Sequence, residues 1–190
     1  MIDVFLSASI PLPTRHRHFY ETADVLAIRE AVKALVEIVL PVGRLTCGGH
    51  PTITPLLALF VREAELNSDH LTIFQSKLHD AVLPVDNAAF ADVRMIDAVG
   101  TDVDASHRKM REAMLASRPF KAAVFIGGME GIHAEADMFE ARWPGRKLIP
   151  VGTTGAAACE LASQDRFPAI FRTERTYLTL FRRQLLESKT

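Results

Sequence analysis

Between residues 24 and 40 the chain sets Val25, Ile28, Val32, Leu35, Val36 and Val39 at helical spacing, with Arg29, Glu30, Lys33 and Glu37 among them and Pro41 behind. Apolar residues three and four apart form one stripe of a helix, and a proline cannot continue its hydrogen-bond ladder, so this segment predicts an amphipathic helix ending at about Leu40. Its charges make it too polar to cross a bilayer. Short apolar runs of strand length lie on either side, at Val4-Phe5-Leu6 and Arg44-Leu45-Thr46-Cys47, and recur at Leu71–Phe74, Arg94–Val99, Ala122–Ile126 and Lys147–Val151. Between and after them the pattern predicts helices over residues 53–65, about 105–117, 131–143, 156–162 and 176–187, and a short one near Asn87 to Asp92. In the helix over 105–117, Met110 and Met114 centre the apolar stripe and Arg111 sits on its edge. In the helix over 131–143, Ile132, Ala136, Phe139 and Trp143 share a stripe with Glu135, a carboxylate where core is expected.

Strands alternating with helices predict a Rossmann-like three-layer α/β/α sandwich with a mainly parallel sheet, built as one domain over residues 1–190. Such sheets bind ligands outside the carboxyl ends of their strands. Small and hydroxyl residues gather at four of those ends: Ser7-Ala8-Ser9, Gly48-Gly49-His50-Pro51-Thr52, Gly127-Gly128-Met129-Glu130-Gly131-Ile132 and Gly152-Thr153-Thr154-Gly155. Glycine admits a ligand close to the backbone, and the unpaired N–H groups and positive dipole end of a following helix favour an anion such as phosphate. The expected ligand is therefore nucleotide-like, its phosphate held at Gly48-Gly49 and Gly127-Gly128. Ser7, Ser9, His50, Thr52, Met129, Glu130, Gly131, Ile132, Gly152, Thr153 and Thr154 are the further ligand-binding candidates. The first strand is not followed by Gly-x-Gly-x-x-Gly, which disfavours an ordinary NAD dehydrogenase, and a Walker-type phosphate loop is missing as well.

A chain of 190 residues, 48% of them hydrophobic, can build one substantial core. The formal net charge of −1 and the lack of a dense Lys/Arg stripe argue against nucleic acid as a partner. Two cysteines, Cys47 and Cys159, form no disulfide framework, and no signal peptide is read, so a cytoplasmic location with reduced thiols is expected, away from any membrane. Cys47 and His50 lack a second pair to complete a tetrahedral metal site, as do His16 and His18, so neither a metal nor a cofactor is expected. The segment from Pro13 to Tyr20, with Arg15, His16, Arg17 and His18 before its aromatics, reads as a polar basic loop or as one wall of the ligand site.

Arg111, followed at a distance by Val124-Phe-Ile-Gly-Gly-Met-Glu-Gly-Ile-His-Ala-Glu135 and preceded by Gly48-Gly49, resembles the SLOG superfamily. That Rossmann-like group contains the lonely-guy phosphoribohydrolases and the DprA/Smf proteins. The resemblance implies one of two roles. One is a sensor of a nucleotide or nucleotide-derived signal in a bacterial conflict system, read out by an effector partner protein. The other is a lonely-guy-like N-glycosidase in which Arg111 and Glu135 are catalytic, with Arg108 competing for the arginine's place. A homodimer is implied in either case. The chain departs from the lonely-guy turn at Ile126 and Ile132, which replace a proline and a threonine, at Met129-Glu130, which adds a residue, and at Ala134, where an acid often sits.

Overall fold

The computed structural model describes residues 1–14, 17–78 and 89–187. Six strands, β1 (Ile2–Ser9), β2 (Gly43–Gly48), β3 (Leu71–Ser76), β4 (Asp92–Ile96), β5 (Ala122–Gly127) and β6 (Lys147–Val151), form one sheet in the order β4-β3-β2-β1-β5-β6. Every pairing is parallel, with Val4 of β1 in register with Leu45 on one side and Ala122 on the other. The chain winds outward from β1 to β4 and then returns to the far side of β1 with β5. That reversal opens a crevice between the connections leaving β1 and β5, at the carboxyl ends of both.

The helices are α1 (Arg17–Thr22), α2 (Val25–Val39), α3 (Thr54–Glu63), α4 (Val103–Ala116), α5 (Gly131–Arg142), α6 (Ala156–Ala162), α7 (Ile170–Thr173) and α8 (Tyr177–Phe181). Alternation along the strands sorts them into two layers, because successive side chains point to opposite faces. Val4, Leu6, Leu45, Ile73, Val124 and Ile126 meet α2, α3 and α8 on one face. Phe5, Phe74, Ala123 and Phe125 meet α4, α5 and α6 on the other. Both faces are covered, which is why the strands read as near-continuous apolar runs. On the second face Phe5 stacks on Phe139 of α5 with ring centroids 6.0 Å apart, and Phe120 packs edge-on against Phe5 at 5.9 Å. Two long helices start at side-chain caps. Asp24 accepts the N–H of Ala27 at 2.9 Å, and Asp102 accepts that of Ala105 at 2.9 Å.

At the amino-terminal edge of the sheet, charged residues join the strand starts. Arg44 Nε donates to Asp3 Oδ1 at 2.9 Å, Arg94 Nε to Asp92 Oδ1 at 2.9 Å, and Thr72 Oγ1 to Asp92 Oδ2 at 2.8 Å. The Arg94 guanidinium holds the Asp92 carboxyl below its ordinary range, with help from Thr72 and Arg118.

The main departures from the sequence pattern are local. Of the segment from Pro13 to Tyr20 read as a polar loop, residues from Arg17 on belong to α1, because Phe19 is buried in the second core and His18 Nε2 lies 2.7 Å from Glu160 Oε1 of α6. Arg15 and His16 lie outside the described residues. So do Asn87 and Ala88 of the short helix expected near residues 87–92, while Asp92 itself opens β4. The last helix divides into α8 and a π turn over Arg182–Leu186, and α7 is too short to leave a periodic signature. Among the described residues, no helix is long and apolar enough to cross a membrane.

Phe139 is fully buried against two aromatic partners. Phe139→Ala is therefore expected to lower the unfolding free energy by about 3–5 kcal/mol in urea titrations, with little change in the slope of the transition.

Candidate functional site

The crevice at the switch point holds a cavity of about 510 Å³. Its walls come from the carboxyl ends of four adjacent strands and from the helix α4 folded over them: Ser7 and Ser9 of β1, Gly48, Gly49 and His50 after β2, Gln75 of β3, His107, Met110 and Arg111 of α4, and Met129, Glu130, Gly131, Ile132 and Glu135 after β5. The topology thus gathers residues from opposite halves of the chain.

At the α4–α5 wall, Arg111 Nε donates to Glu135 Oε1 at 3.1 Å, the two side chains being 22% and 14% exposed. A half-buried carboxylate on the apolar stripe of a helix is costly without a partner, and the guanidinium supplies one. The helices that carry the pair are tied together one turn further on, where Trp143 Nε1 donates to the Leu115 carbonyl at 3.0 Å. Gly131 makes room for the arginine: a Cβ there would come 3.0 Å from Arg111 Nη2.

The remaining glycines have different duties from those expected. Gly127 and Gly128 have φ of +58° and +83°, so the turn itself requires glycine. Their N–H groups are engaged inside the protein, Gly127 donating to Thr154 Oγ1 at 2.9 Å and Gly128 to the Ser9 carbonyl at 2.8 Å. Gly49 likewise donates to the Phe74 carbonyl at 2.8 Å. Phosphate held on these three N–H groups would have to displace those bonds. Among the described residues, the N–H groups of Met129 and Gly131, at the start of α5, have no internal acceptor and face the helix's positive end.

Several candidates lie away from the cavity. Thr154 Oγ1 donates to the Val151 carbonyl at 2.6 Å while accepting from Gly127, and Thr153 Oγ1 donates to the Glu174 carbonyl at 2.9 Å. With Gly152 they are buried; Thr154 braces the β5 turn from behind, while Thr153 holds the segment at Glu174 and Tyr177. Thr52 Oγ1 accepts the N–H of Ile10 at 3.0 Å and lies 2.8 Å from His50 Nδ1, joining the loops after β1 and β2. Arg108 points outward and pairs with Glu112 at 3.0 Å, so of the two arginines it is Arg111 that lines the cavity. Gln75, His107 and Met110 line it without having been singled out in the sequence. Gln75 had a signal, a polar residue directly after the apolar run Leu71–Phe74 at a strand's carboxyl end.

Cys47, just before the β2 turn, is a fully buried thiol. Burial, reinforced by the negative charge of Glu135, pushes it up to about 12, so it stays protonated near neutral pH. Among the described residues, no group of three or more His, Cys, Asp or Glu is arranged to hold a metal ion.

A doubly wound parallel sheet with its cavity at the switch point defines a Rossmann-like α/β domain. The profile of the SLOG cluster3 family matches residues 18–185, and the chain belongs to that family. Among solved structures it is similar to the X-ray structure of TM1055, a Northeast Structural Genomics Consortium target. The two are 16% identical with a TM-score of 0.54, and the match covers 85% of this chain and 81% of that one, a likeness of fold. No curated protein matches.

The two thiols differ in a way that can be counted. At pH 8 a disulfide reagent should react promptly with the exposed Cys159 alone, and with both cysteines after denaturation. The folded Cys47 keeps its proton between the ordinary 9.0 and about 12, where the unfolded thiol has lost it, so its contribution to stability falls as pH rises through that window. Two fast-reacting thiols in the folded protein would contradict this picture.

Proposed function

We propose that this protein binds a nucleotide or nucleotide-derived signalling metabolite in the switch-point cavity. The observation that carries the reading is the presence of a guanidinium, Arg111, and the open N-terminus of α5 on the same cavity wall. A cation and aligned N–H groups together suit a phosphate. From β5, beside that wall, to β3, the cavity crosses three strand spacings, about 14 Å. A nucleoside monophosphate laid along the strand ends covers such a span. In this reading the protein is a sensor in a bacterial conflict system. It acts as a homodimer, and its output passes to an effector protein or to a change of assembly.

The Arg111–Glu135 contact favours a second reading on the same site. A carboxylate held by an arginine inside a nucleotide cavity can stabilise an oxocarbenium-like ribosyl transition state or activate water, while the arginine holds phosphate. Water would then split a nucleoside monophosphate into free base and ribose phosphate, a lonely-guy-like N-glycosidase reaction.

The test is a thermal-shift screen of AMP, NAD, ADP-ribose and cyclic ADP-ribose, each stabilising compound being incubated overnight and analysed by mass spectrometry. A true ligand at a hundredfold excess over Kd adds about 2.7 kcal/mol of stability. Recovery of the compound intact supports the sensor. Recovery as free base and ribose phosphate, abolished in Glu135→Gln with binding kept, makes the protein a hydrolase. Arg111→Ala should weaken binding about tenfold or more in either case. Absence of any shift across the screen would sink both readings.

A further inference from the structure

Gln75, next to last in β3, lies on the wall of the cavity, and it is 7% exposed. Its Oε1 is buried and, among the described residues, has no hydrogen-bond partner. A buried acceptor left unpaired costs free energy, and native structures keep few of them without a reason. Gly49 is part of the arrangement. A Cβ at position 49 would collide with Gln75 Oε1 and press on Ile73, so the missing side chain is the space that the amide occupies. Gly49 has no positive φ and its N–H is already bonded to the Phe74 carbonyl. Its glycine thus serves neither the turn nor a ligand N–H, but the seat of the glutamine.

We infer that Gln75 selects the base of the bound nucleotide by accepting a hydrogen bond from an N–H on the base edge, the class of ligand being a nucleotide with an amino-bearing base such as a 6-aminopurine. The inference rests on the proposed nucleotide reading and adds to it an orientation and a specificity. Arg111 and the start of α5 hold the phosphate end, so the base lies toward β3, where Gln75 waits. The terminal torsion of glutamine is soft, and rotation about it turns the amide plane, Oε1 and Nε2 together, toward the cavity while the aliphatic part stays in place. An amide then offers an acceptor beside a donor, the complement of adenine's amino group and adjacent ring nitrogen. Purine riboside 5′-monophosphate keeps the shape of AMP and lacks that amino group, leaving the glutamine oxygen as unpaired as it is in the empty protein.

The experiment compares AMP with purine riboside 5′-monophosphate by titration calorimetry, on the unmodified chain, on Gln75→Leu and on Arg111→Ala, with the melting temperature of each protein taken alone. The unmodified chain should bind AMP about tenfold more tightly than the deaminated analogue, and Gln75→Leu should bind the two alike. Gln75→Leu should also melt no lower than the unmodified chain, since it removes an orphaned polar group. A glutamine with a purely structural role would lower it. Should Gln75→Leu fail to fold, Gln75→Met, of similar length and flexibility, carries the same comparison. Equal binding of both nucleotides by the unmodified chain, lost in Arg111→Ala, overturns the role of Gln75 and leaves the nucleotide reading standing. Discrimination that persists in the Gln75 variant overturns it too. Failure of the unmodified chain to bind either nucleotide removes the nucleotide reading and this inference with it.

Discussion

Parallel pairing is the constraint from which the remainder of this molecule follows. A parallel strand cannot be joined to its neighbour by a tight turn, so each connection must cross a face of the sheet, and both faces become covered. All six strands then end at the same edge, and the reversal of winding at β1 leaves a gap there that no crossover fills. Cavity, glycine turns and the start of α5 all lie at that edge. The charged residues Asp3, Arg44, Asp92, Arg94 and Arg118 lie at the opposite one, where Arg44 ties β2 to β1 and Arg118 reaches both β1 and β4. The cavity and the charges that align the strands are thereby kept about a strand's length apart.

Within the site, glycine solves three different problems. At Gly127 and Gly128 the backbone takes a conformation that side chains disfavour; at Gly131 the guanidinium of Arg111 needs the room; at Gly49 a glutamine amide fills the place of a side chain. The N–H groups of the first pair and of Gly49 are consumed by the fold, whereas among the described residues those of Met129 and Gly131, at the start of α5, meet no acceptor. Arg111 and Glu135 come from different helices and are held at contact distance by packing and by the Trp143–Leu115 bond. The pair depends on tertiary structure throughout.

Much of this was legible beforehand because the periods are clean. Short, near-continuous apolar runs located every strand, and helical patterning located α2 through α5, with Glu135 conspicuous as a charge on an apolar stripe. Arg111 was legible from the same geometry, since it borders the stripe centred on Met110 and Met114, whereas the pairing of Arg108 with Glu112 on the outer surface leaves no local signal. Gly152, Thr153 and Thr154 carry the composition of a ligand loop, yet Thr154 braces the β5 turn and Thr153 the Glu174 carbonyl, because hydroxyls serve a neighbouring backbone as readily as a phosphate. Nothing local separates those two uses. α1 escaped notice because its formation depends on Phe19 and Glu160, residues far apart in the chain. Gln75 was passed over because its significance lies in what is absent around it.

The first face of the sheet has an implication for the order in which the molecule comes together. α2 is made early, yet much of its apolar surface is covered by Tyr177, Leu180, Phe181 and Leu185, contributed some 140 residues later. Lys121 and Lys147, at the starts of β5 and β6, donate to the Leu185 and Gln184 carbonyls and fasten that late segment in place. A nascent chain on the ribosome therefore carries an uncovered hydrophobic helix until the α8 region emerges, and that interval is when a chaperone has most to shield.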